Sequence, residues 1–257
     1  MKYILLQSLL ITCCFISTSC KKDKCEPTPS NVDLKKGLIA YYKFDGNTAD
    51  SSGNGNHGQL INDGQLGYDE HGNSNSALDC YNHNQGMLIN NNGKIKFDTA
   101  FTVSLDIMTR DYQPNSFFNF INFSSETAQS FSMGNNIFDD GKNWAMFVNS
   151  GSDFCSKKVL SYNENDYVKT STEYQLTESW YNLIVSFQKG KVNVYVNGKL
   201  DKTGIFPNTI LELCSGAQLV LGNYSAETQY GLNGKMDEVR LYNRILNAEE
   251  IAEVSRH

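Results

Sequence analysis

The residues best suited to chemistry lie in a glycine-rich loop between positions 45 and 58. This loop carries five carboxylate or amide side chains, at Asp45, Asn47, Asp50, Asn54 and Asn56. Calcium prefers hard oxygen ligands of this kind, although the acidic spacing and the terminal Glu of an EF-hand are missing. The same side chains can instead bond to nearby backbone groups in Asx turns. The loop alone therefore predicts either a calcium site or a self-supporting turn.

Motifs for catalysis are missing or incomplete. A retaining glycoside hydrolase needs two carboxyl groups roughly 5 Å apart. The nearest match, Glu164-Asn165-Asp166, is followed by Val168 or Lys169 where the second Glu is required. The sequence also lacks a nucleophile elbow and an HExxH motif. Three histidines have spacings that fit no common zinc site, and we interpret them as solvated loop residues: His57, His71 and His83. We therefore predict a protein without catalytic activity.

The first 36 residues have the pattern of a targeting segment followed by a tether. The apolar stretch after Met1-Lys2 is too short and too interrupted to span a membrane. It ends in Ile16-Ser17-Thr18-Ser19-Cys20, which resembles the lipobox of bacterial lipoprotein signal peptides. We predict a signal peptide over residues 1–19, a lipid anchor at Cys20, and a flexible tether over residues 20–36. An ordinary secretory signal is the alternative. The lipobox implies an outer-membrane lipoprotein that faces the periplasm or the outside.

Export to an oxidising compartment permits disulfides between the remaining cysteines. Outside the leader these are Cys25, Cys80, Cys155 and Cys214. Four cysteines allow three pairings, and loop-like surroundings favour a bond between Cys155 and Cys214. Four free thiols are the alternative.

Composition excludes several classes of protein. The 257 residues carry 22 Lys plus Arg against 28 Asp plus Glu, a net charge of −6. Nucleic-acid binding needs a basic patch, and none follows the leader. The chain also has 14 Phe and 14 Tyr, far more than a disordered protein contains. We therefore expect one folded domain over residues 37–257.

Short alternating runs of apolar and polar residues predict that this domain is built from β-strands. The clearest is 101–107, where Phe101, Val103, Leu105 and Ile107 lie on one face. The predicted strands are 38–44, 101–107, 117–123, 144–149, 180–187, 192–196, 218–222 and 235–242.

Turn and capping residues separate these elements. Lys189-Gly190 and Asn197-Gly198 are typical of tight hairpin turns. Asn247 and Glu250 form the pattern of a capping box, so a short helix is expected near the C-terminus. Many strands and one terminal helix indicate two packed antiparallel sheets. The predicted fold class is all-β.

Four stretches together resemble a known family. They are 37–47, 50–58, 180–198 and 234–244, which includes Asp237-Glu238-Val239-Arg240. This order and spacing is similar to the laminin G-like branch of the concanavalin A-like lectin/glucanase superfamily. The resemblance implies an antiparallel double-sheet jelly-roll sandwich with a curved face and a short C-terminal helix.

The resemblance also implies a structural calcium between an early loop and a late strand. Asp45 matches the early acidic position of the family and Asp237 the late one. Loop carbonyls near Asn47 and His57 would complete the coordination shell. Such an ion would join the first loop to the last strand.

Binding of a glycan is the function that the resemblance favours, through sugar rings stacked on aromatic side chains. The candidates near loops are Tyr81, Tyr112, Trp144 and Tyr230. Each of them can instead be a half-buried aromatic of the sandwich. An adhesion or assembly module that binds a protein is the second hypothesis, and a hydrolase with an unfamiliar site is the third.

Overall fold

The structure is a computed structural model. It describes residues 32–81, 83–90, 93–97, 99–111, 118–124, 129–135, 143–148, 167–171, 173, 178–206, 216–224 and 230–256. All of them fall within the unit Val32–His257. In this part of the chain, no helix is long and apolar enough to cross a membrane.

The described residues form fifteen strands and one helix. In chain order these are β1 (Leu38–Tyr42), β2 (Gly58–Ile61), β3 (Gln65–Gly67), β4 (Ala77–Cys80), β5 (Gly86–Ile89), β6 (Ala100–Thr109), β7 (Asn119–Ser124), β8 (Gln129–Asn135), β9 (Trp144–Val148), β10 (Tyr167–Lys169), β11 (Trp180–Gln188), β12 (Lys191–Val196), β13 (Lys199–Ile205), β14 (Gln218–Leu221), β15 (Gly234–Tyr242) and α1 (Ala248–Val254).

The strands form two antiparallel sheets. Sheet A has eight strands in the order β13-β12-β11-β6-β15-β4-β3, with β1 also paired to β15. Sheet B has seven, in the order β10-β9-β8-β7-β14-β5-β2. The all-β prediction is confirmed, because two antiparallel sheets and one short C-terminal helix make a sandwich consistent with a jelly roll.

Aromatic rings fill the space between the sheets. Phe101 on β6 stacks against Phe187 on β11, with ring centroids 5.4 Å apart, and against Phe131 on β8 at the same distance. The alternation predicted for β6 is confirmed, since Phe101, Val103, Leu105 and Ile107 all lie in this core. The intervening side chains of β6 therefore face away from sheet B.

Local turn chemistry agrees with the predicted positions. Lys189 and Gly190 have φ values of 48° and 85°, and Asn197 and Gly198 have φ values of 48° and 72°. Two consecutive positive φ values are what a tight hairpin with matching strand twist requires. Helix α1 begins after Asn247, whose side chain accepts a hydrogen bond from the Glu250 amide in the predicted capping box.

The first and last strands of the domain lie side by side. Leu38 of β1 is the Cα partner of Tyr242 in β15, and Tyr42 is the partner of Val239. Helix α1 then packs on the outer face of sheet A through Ile251 and Val254. Leu34, within the stretch predicted as a tether, packs against the same cluster. Backbone pairing thus joins the two ends of the domain directly.

Candidate functional site

The loop between β1 and β2 is organised by Asp50. Its carboxylate accepts hydrogen bonds from the backbone amides of Tyr41 at 3.0 Å, Ser52 at 2.8 Å and Asn56 at 2.9 Å, and from the Ser52 hydroxyl at 2.9 Å. Burial opposes ionisation of this group, but these hydrogen bonds outweigh it and lower the pKa of Asp50. Asp50 is therefore a charged anchor for the loop.

The amide side chains of the loop also bond to the backbone. Asn54 and Asn56 each donate to the carbonyl oxygen of Ile39 at 2.9 Å. Asn47 accepts from the amide of Ala49 at 2.8 Å, in an Asx turn. The self-supporting turn is thus the arrangement observed for Asn47, Asp50, Asn54 and Asn56.

The four predicted calcium ligands lie in different settings. Asp45 is exposed, and its carbonyl accepts from the Asn47 side chain at 3.1 Å. Nδ1 of His57 accepts from the Asp50 amide at 3.1 Å. Asp237 lies on β15. Across the described residues, no group of three or more His, Cys, Asp or Glu side chains is arranged to hold a metal ion. Calcium binding by Asp45 and Asp237, together with loop carbonyls near Asn47 and His57, stays a prediction.

Asp237 faces a second carboxylate across the ladder of sheet A. Its Cα partner on β6 is Asp106, which is buried and accepts a hydrogen bond from the Asn182 side chain at 2.8 Å. Burial, and after it the nearby charges of Glu238, Asp106 and Asp69, raise the pKa of Asp237 to about 8 against a hydrogen bond from the Glu238 amide. Ionisation of Asp237 is therefore opposed first by burial and then by its acidic neighbours.

Beside Asp237, sheet A presents a surface that we call the tyrosine strip, consisting of Tyr68, Asp79, Tyr81, Arg110 and Lys235. Tyr68 follows β3 and is 60% exposed, and Tyr81 follows β4 and is 38% exposed. Asp79 and Lys235 are Cα partners on β4 and β15, so their side chains share one face. The strip thus combines two accessible rings with charged groups between them.

Arg110 fixes the position of Tyr81. Its guanidinium lies 3.9 Å from the centre of the Tyr81 ring. It also donates to Asp79 Oδ1 at 2.5 Å and to the carbonyl oxygens of Cys80 at 2.9 Å and Gly234 at 3.4 Å. The guanidinium thus covers one face of a ring that remains 38% exposed.

The short loop after Tyr81 is also anchored. The Gln85 side chain accepts a hydrogen bond from the Tyr81 amide at 2.8 Å. Nδ1 of His83 lies 2.8 Å from the carbonyl oxygen of Gly231, and Nε2 lies 3.3 Å from Asp111 Oδ2. The loop that carries Tyr81 is therefore tied to the segment before β15 and to the segment after β6.

Two of the other predicted ligand-binding aromatics, Trp144 and Tyr230, pack against further aromatic rings. Trp144 is 6% exposed, in the core between the sheets, where it contacts Tyr181 edge-on. This is the sandwich-aromatic alternative, because a buried ring offers no face to a sugar. Tyr230 is half-buried against Tyr224, with ring centroids 6.5 Å apart. Four predicted residues lie outside the described part of the chain: Cys20, Tyr112, Cys155 and Cys214.

A contrasting set of residues crosses the outer face of sheet B. We call it the sheet B row: Val220, Asn122, Ser132, Phe147 and Tyr167 are successive Cα partners on β14, β7, β8, β9 and β10. Asn122 and Ser132 are fully buried. Among the described residues, neither the amide of Asn122 nor the hydroxyl of Ser132 has a hydrogen-bond partner. Sequence analysis did not single out this row, because it depends on strand register.

Comparison with known proteins supports the fold described above. The family that matches is described as the concanavalin A-like lectin/glucanases superfamily, over residues 82–252. No curated protein sequence matches the chain. Among solved structures, domain 4 of AbnA, an extracellular arabinanase from Geobacillus stearothermophilus, was determined in complex with arabinotriose. It is 22% identical with a TM-score of 0.55, and the match covers 85% of this chain and 98% of that domain.

Neurotoxin binding domains are also similar in fold. The receptor binding domain of botulinum neurotoxin mosaic serotype C/D has a TM-score of 0.63 at 15% identity, over 87% of this chain. The serotype D ligand binding domain, solved with N-acetylneuraminic acid, has a TM-score of 0.61 at 16% identity, over 86% of this chain. The chain spans about half the length of these two domains, 51% in each case.

Proposed function

The chain belongs to the concanavalin A-like lectin/glucanase superfamily, and on that premise we propose that it is a non-catalytic carbohydrate-binding protein of the bacterial cell envelope. The observation that carries this proposal is the tyrosine strip. An exposed ring braced by a cation, next to charged hydrogen-bonding groups, is a surface on which a sugar can bind. Relatives in fold were solved with arabinotriose and with N-acetylneuraminic acid.

Tyr81 is the proposed stacking platform. The apolar face of a sugar ring packs on an aromatic ring, while hydroxyl groups bond to a few placed polar side chains. Arg110 holds the Tyr81 ring from behind. Lys235 lies on the same face of the sheet as Asp79 and supplies a donor, while the buried carboxylate of Asp79 holds Arg110 in place.

The strip offers two rings to a ligand. Nζ of Lys235 lies 5.8 Å from the centre of the Tyr68 ring. Lys235 is the Cα partner of Asp79, which is two residues before Tyr81. Two exposed rings on one surface suit an oligosaccharide better than a single sugar.

The absence of catalysis is part of the proposal. Hydrolysis of a glycosidic bond needs two carboxyl groups that reach the substrate. Asp106 and Asp237 are a facing pair, but Asp106 is buried and bonded to Asn182. Tyr81 and Arg110 bind and orient without transferring a proton.

Placement in the envelope rests on the leader. Lipidation of Cys20 after removal of residues 1–19 would anchor the domain at the outer membrane through the tether. Replacing Cys20 with Ser should move the protein from the membrane fraction to the soluble fraction. Retention of the Cys20→Ser protein in the membrane fraction would contradict the anchor.

Glycan binding can be tested on an array that includes arabinotriose and sialylated glycans. We expect Tyr81→Ala to lower affinity about tenfold, a free-energy loss of about 1.4 kcal/mol. Tyr81→Phe keeps the ring and should keep most of the binding. Equal binding by the wild type and Tyr81→Ala would exclude the tyrosine strip as the site.

One observation favours a second candidate, a module that docks a protein. Strand β13 is the edge of sheet A, and it exposes Leu200 by 57% and Ile205 by 80%. Exposed apolar groups on an edge strand favour pairing with another chain. This alternative would be favoured if no glycan on the array binds and if the protein captures a partner that Ile205→Lys no longer captures.

A further inference from the structure

Trp180 is the first residue of β11, and its side chain lies on the outer face of sheet A. The next residue, Tyr181, packs against the core between the sheets, and side chains alternate along a strand, so Trp180 points away from that core. Trp180 is partly exposed, and it belongs to neither of the two apolar clusters that the described residues form. A large ring therefore lies at the surface without the packing that usually surrounds one.

Strand register connects Trp180 with the tyrosine strip. Lys235 on β15, Met108 on β6 and Trp180 on β11 are successive Cα partners, and Asp79 on β4 is the partner of Lys235 on the other side. Side chains of cross-strand partners share one face of a sheet. From Asp79 to Trp180 the row crosses three strand spacings, roughly 14 Å. The face that carries the tyrosine strip therefore continues to Trp180.

The row between the two aromatic regions has an apolar floor and an available donor. Met108 is 7% exposed, yet it also lies outside both apolar clusters of the described residues. Lys235 is partly exposed, and its ammonium donates to the carbonyl oxygen of Tyr68 at 2.7 Å. An ammonium has three hydrogens, so this contact leaves donors for a ligand. The surface between the strip and Trp180 can therefore bind both an apolar sugar face and a hydroxyl group.

The indole of Trp180 also has an unused donor. Within the part of the chain that the structure describes, Nε1 of Trp180 makes no hydrogen bond. A buried indole N–H usually has a partner, whereas an exposed one can donate to a ligand. A ring of this kind can stack on a sugar and bond to one of its hydroxyl groups.

We infer that Trp180 is a second stacking platform, and that the site takes a linear oligosaccharide of at least three units that crosses the strands from Tyr81 over Lys235 to Trp180. This inference rests on the proposed function, since it extends the same site. A ligand that occupies only the strip leaves Trp180 uncovered. Affinity should therefore increase with the length of the oligosaccharide until the ligand reaches β11.

Two length series test the inference, arabino-oligosaccharides and xylo-oligosaccharides of two to six units. Affinities are measured by calorimetry with the full chain. In any series that binds, we expect four units to bind about tenfold more tightly than two, because a second ring is stacked. Trp180→Ala should remove this increase, and Trp180→Phe, which keeps a ring, should retain most of it. Leu200→Ala removes an exposed apolar side chain from β13 of the same sheet and should leave the dependence on length unchanged.

The two tryptophans of the chain provide a measurement on the wild type. Trp144 is 6% exposed in the core between the sheets, so it serves as the internal reference. In NMR spectra of the indole N–H groups, assigned with Trp180→Phe, a four-unit ligand should shift the Trp180 signal and leave the Trp144 signal in place. This measurement does not depend on the folding of a truncated variant.

The outcomes distinguish the inference from the proposed function. Equal binding of two and four units, or a Trp180 signal that stays in place at saturation, would overturn the inference. Loss of the same binding in Tyr81→Ala would in that case still support the proposed function. If no member of either series binds, the proposed function is wrong, and the inference with it.

Discussion

The tyrosine strip on sheet A and the sheet B row differ in how their polar side chains are bonded. In the partly exposed tyrosine strip, Arg110 donates to Asp79 and to the backbone. In the sheet B row, Asn122 and Ser132 are fully buried, and their side chains have no partner among the described residues. A buried polar group without a partner costs about 1–3 kcal/mol. The charged groups of the strip are therefore paired, whereas the sheet B row retains an unfavourable arrangement. Two hydroxyls elsewhere on sheet A, those of Ser104 and Tyr242, also have no partner in the described part of the chain.

The difference shows that burial alone does not identify a binding surface. On sheet A, the contacts of Arg110 hold Tyr81 in one position, which suits a preformed site. The sheet B row is uncharged, since it consists of Val220, Asn122, Ser132, Phe147 and Tyr167. Charge and pH should therefore affect sheet A and leave the sheet B row unchanged. Deleting a bonded polar side chain on sheet A and an unpaired one in the sheet B row should have opposite effects on stability.

The largest effect is expected from pH acting on Asp237. Its pKa is about 8 in the folded protein, above the ordinary value of 3.8. Between these values the folded state holds a proton that the unfolded state has released. The contribution to stability is therefore complete below about pH 4 and is lost as pH rises towards 8, by up to about 1.4 kcal/mol per pH unit.

Urea denaturation of wild type and Asp237→Asn at several pH values measures this contribution. The asparagine mimics the protonated carboxyl, so the two proteins should agree near pH 4. The variant should become progressively more stable than the wild type as the pH approaches 8. A difference in stability that is independent of pH would show that Asp237 is already ionised in the folded protein.

Removing the charge of Arg110 from the tyrosine strip should have the next largest effect on stability. In Arg110→Met the carboxylate of Asp79, which is buried, would lose its charge partner. Leaving one member of such a pair uncompensated costs about 3 kcal/mol or more. Chemical denaturation gives the loss directly. Arg256→Met removes an exposed arginine that pairs with Glu253 and serves as the control, with a loss below about 1 kcal/mol. Equal losses in both variants would mean that Asp79 is not held by Arg110.

Replacing one asparagine on each sheet tests the contrast between them. Asn122→Leu on sheet B keeps the volume and removes two unpaired polar atoms, so it should stabilise the protein by about 1–3 kcal/mol. Asn182→Leu on sheet A removes the donor to Asp106 and the acceptor of the Ser255 hydroxyl, so it should destabilise by a similar amount. Thermal and urea unfolding report both changes. A loss of stability in Asn122→Leu would erase the distinction between the faces.

Local patterns in the sequence predicted much of the fold. Strand β6 alternates clearly, and the hairpin at Asn197-Gly198 and the capping box at Asn247 depend only on neighbouring residues. All eight predicted strands overlap observed ones. The strands missed are short or polar, as in β3, with three residues, and β13, with mostly exposed side chains. Such segments acquire their structure from their partners and carry little periodicity of their own.

Less of the candidate site than of the fold could be predicted from the sequence. Tyr81 was identified as a loop aromatic, but Arg110 and Lys235 were not connected with it. Their association depends on register, since Lys235 lies opposite Asp79 only because of the β4–β15 ladder. The asparagines of the early loop had the right chemistry for a metal, and the structure shows them bonded to the backbone of β1 and of the loop itself. Side-chain type indicated the possible chemistry, and pairing decided which contacts formed.

The smallest effect is expected from loosening the loop that carries Tyr81. Asp111→Asn removes the charge that faces Nε2 of His83, and the pair is partly exposed, so the free energy of unfolding should fall by less than about 1 kcal/mol. Affinity for an uncharged glycan should nevertheless decrease severalfold, because Tyr81 would be held less firmly. Glu253→Gln breaks a comparable exposed pair on α1 and should change stability slightly without changing affinity. If both variants bind the glycan like the wild type, a preformed position of Tyr81 is not what distinguishes sheet A from sheet B.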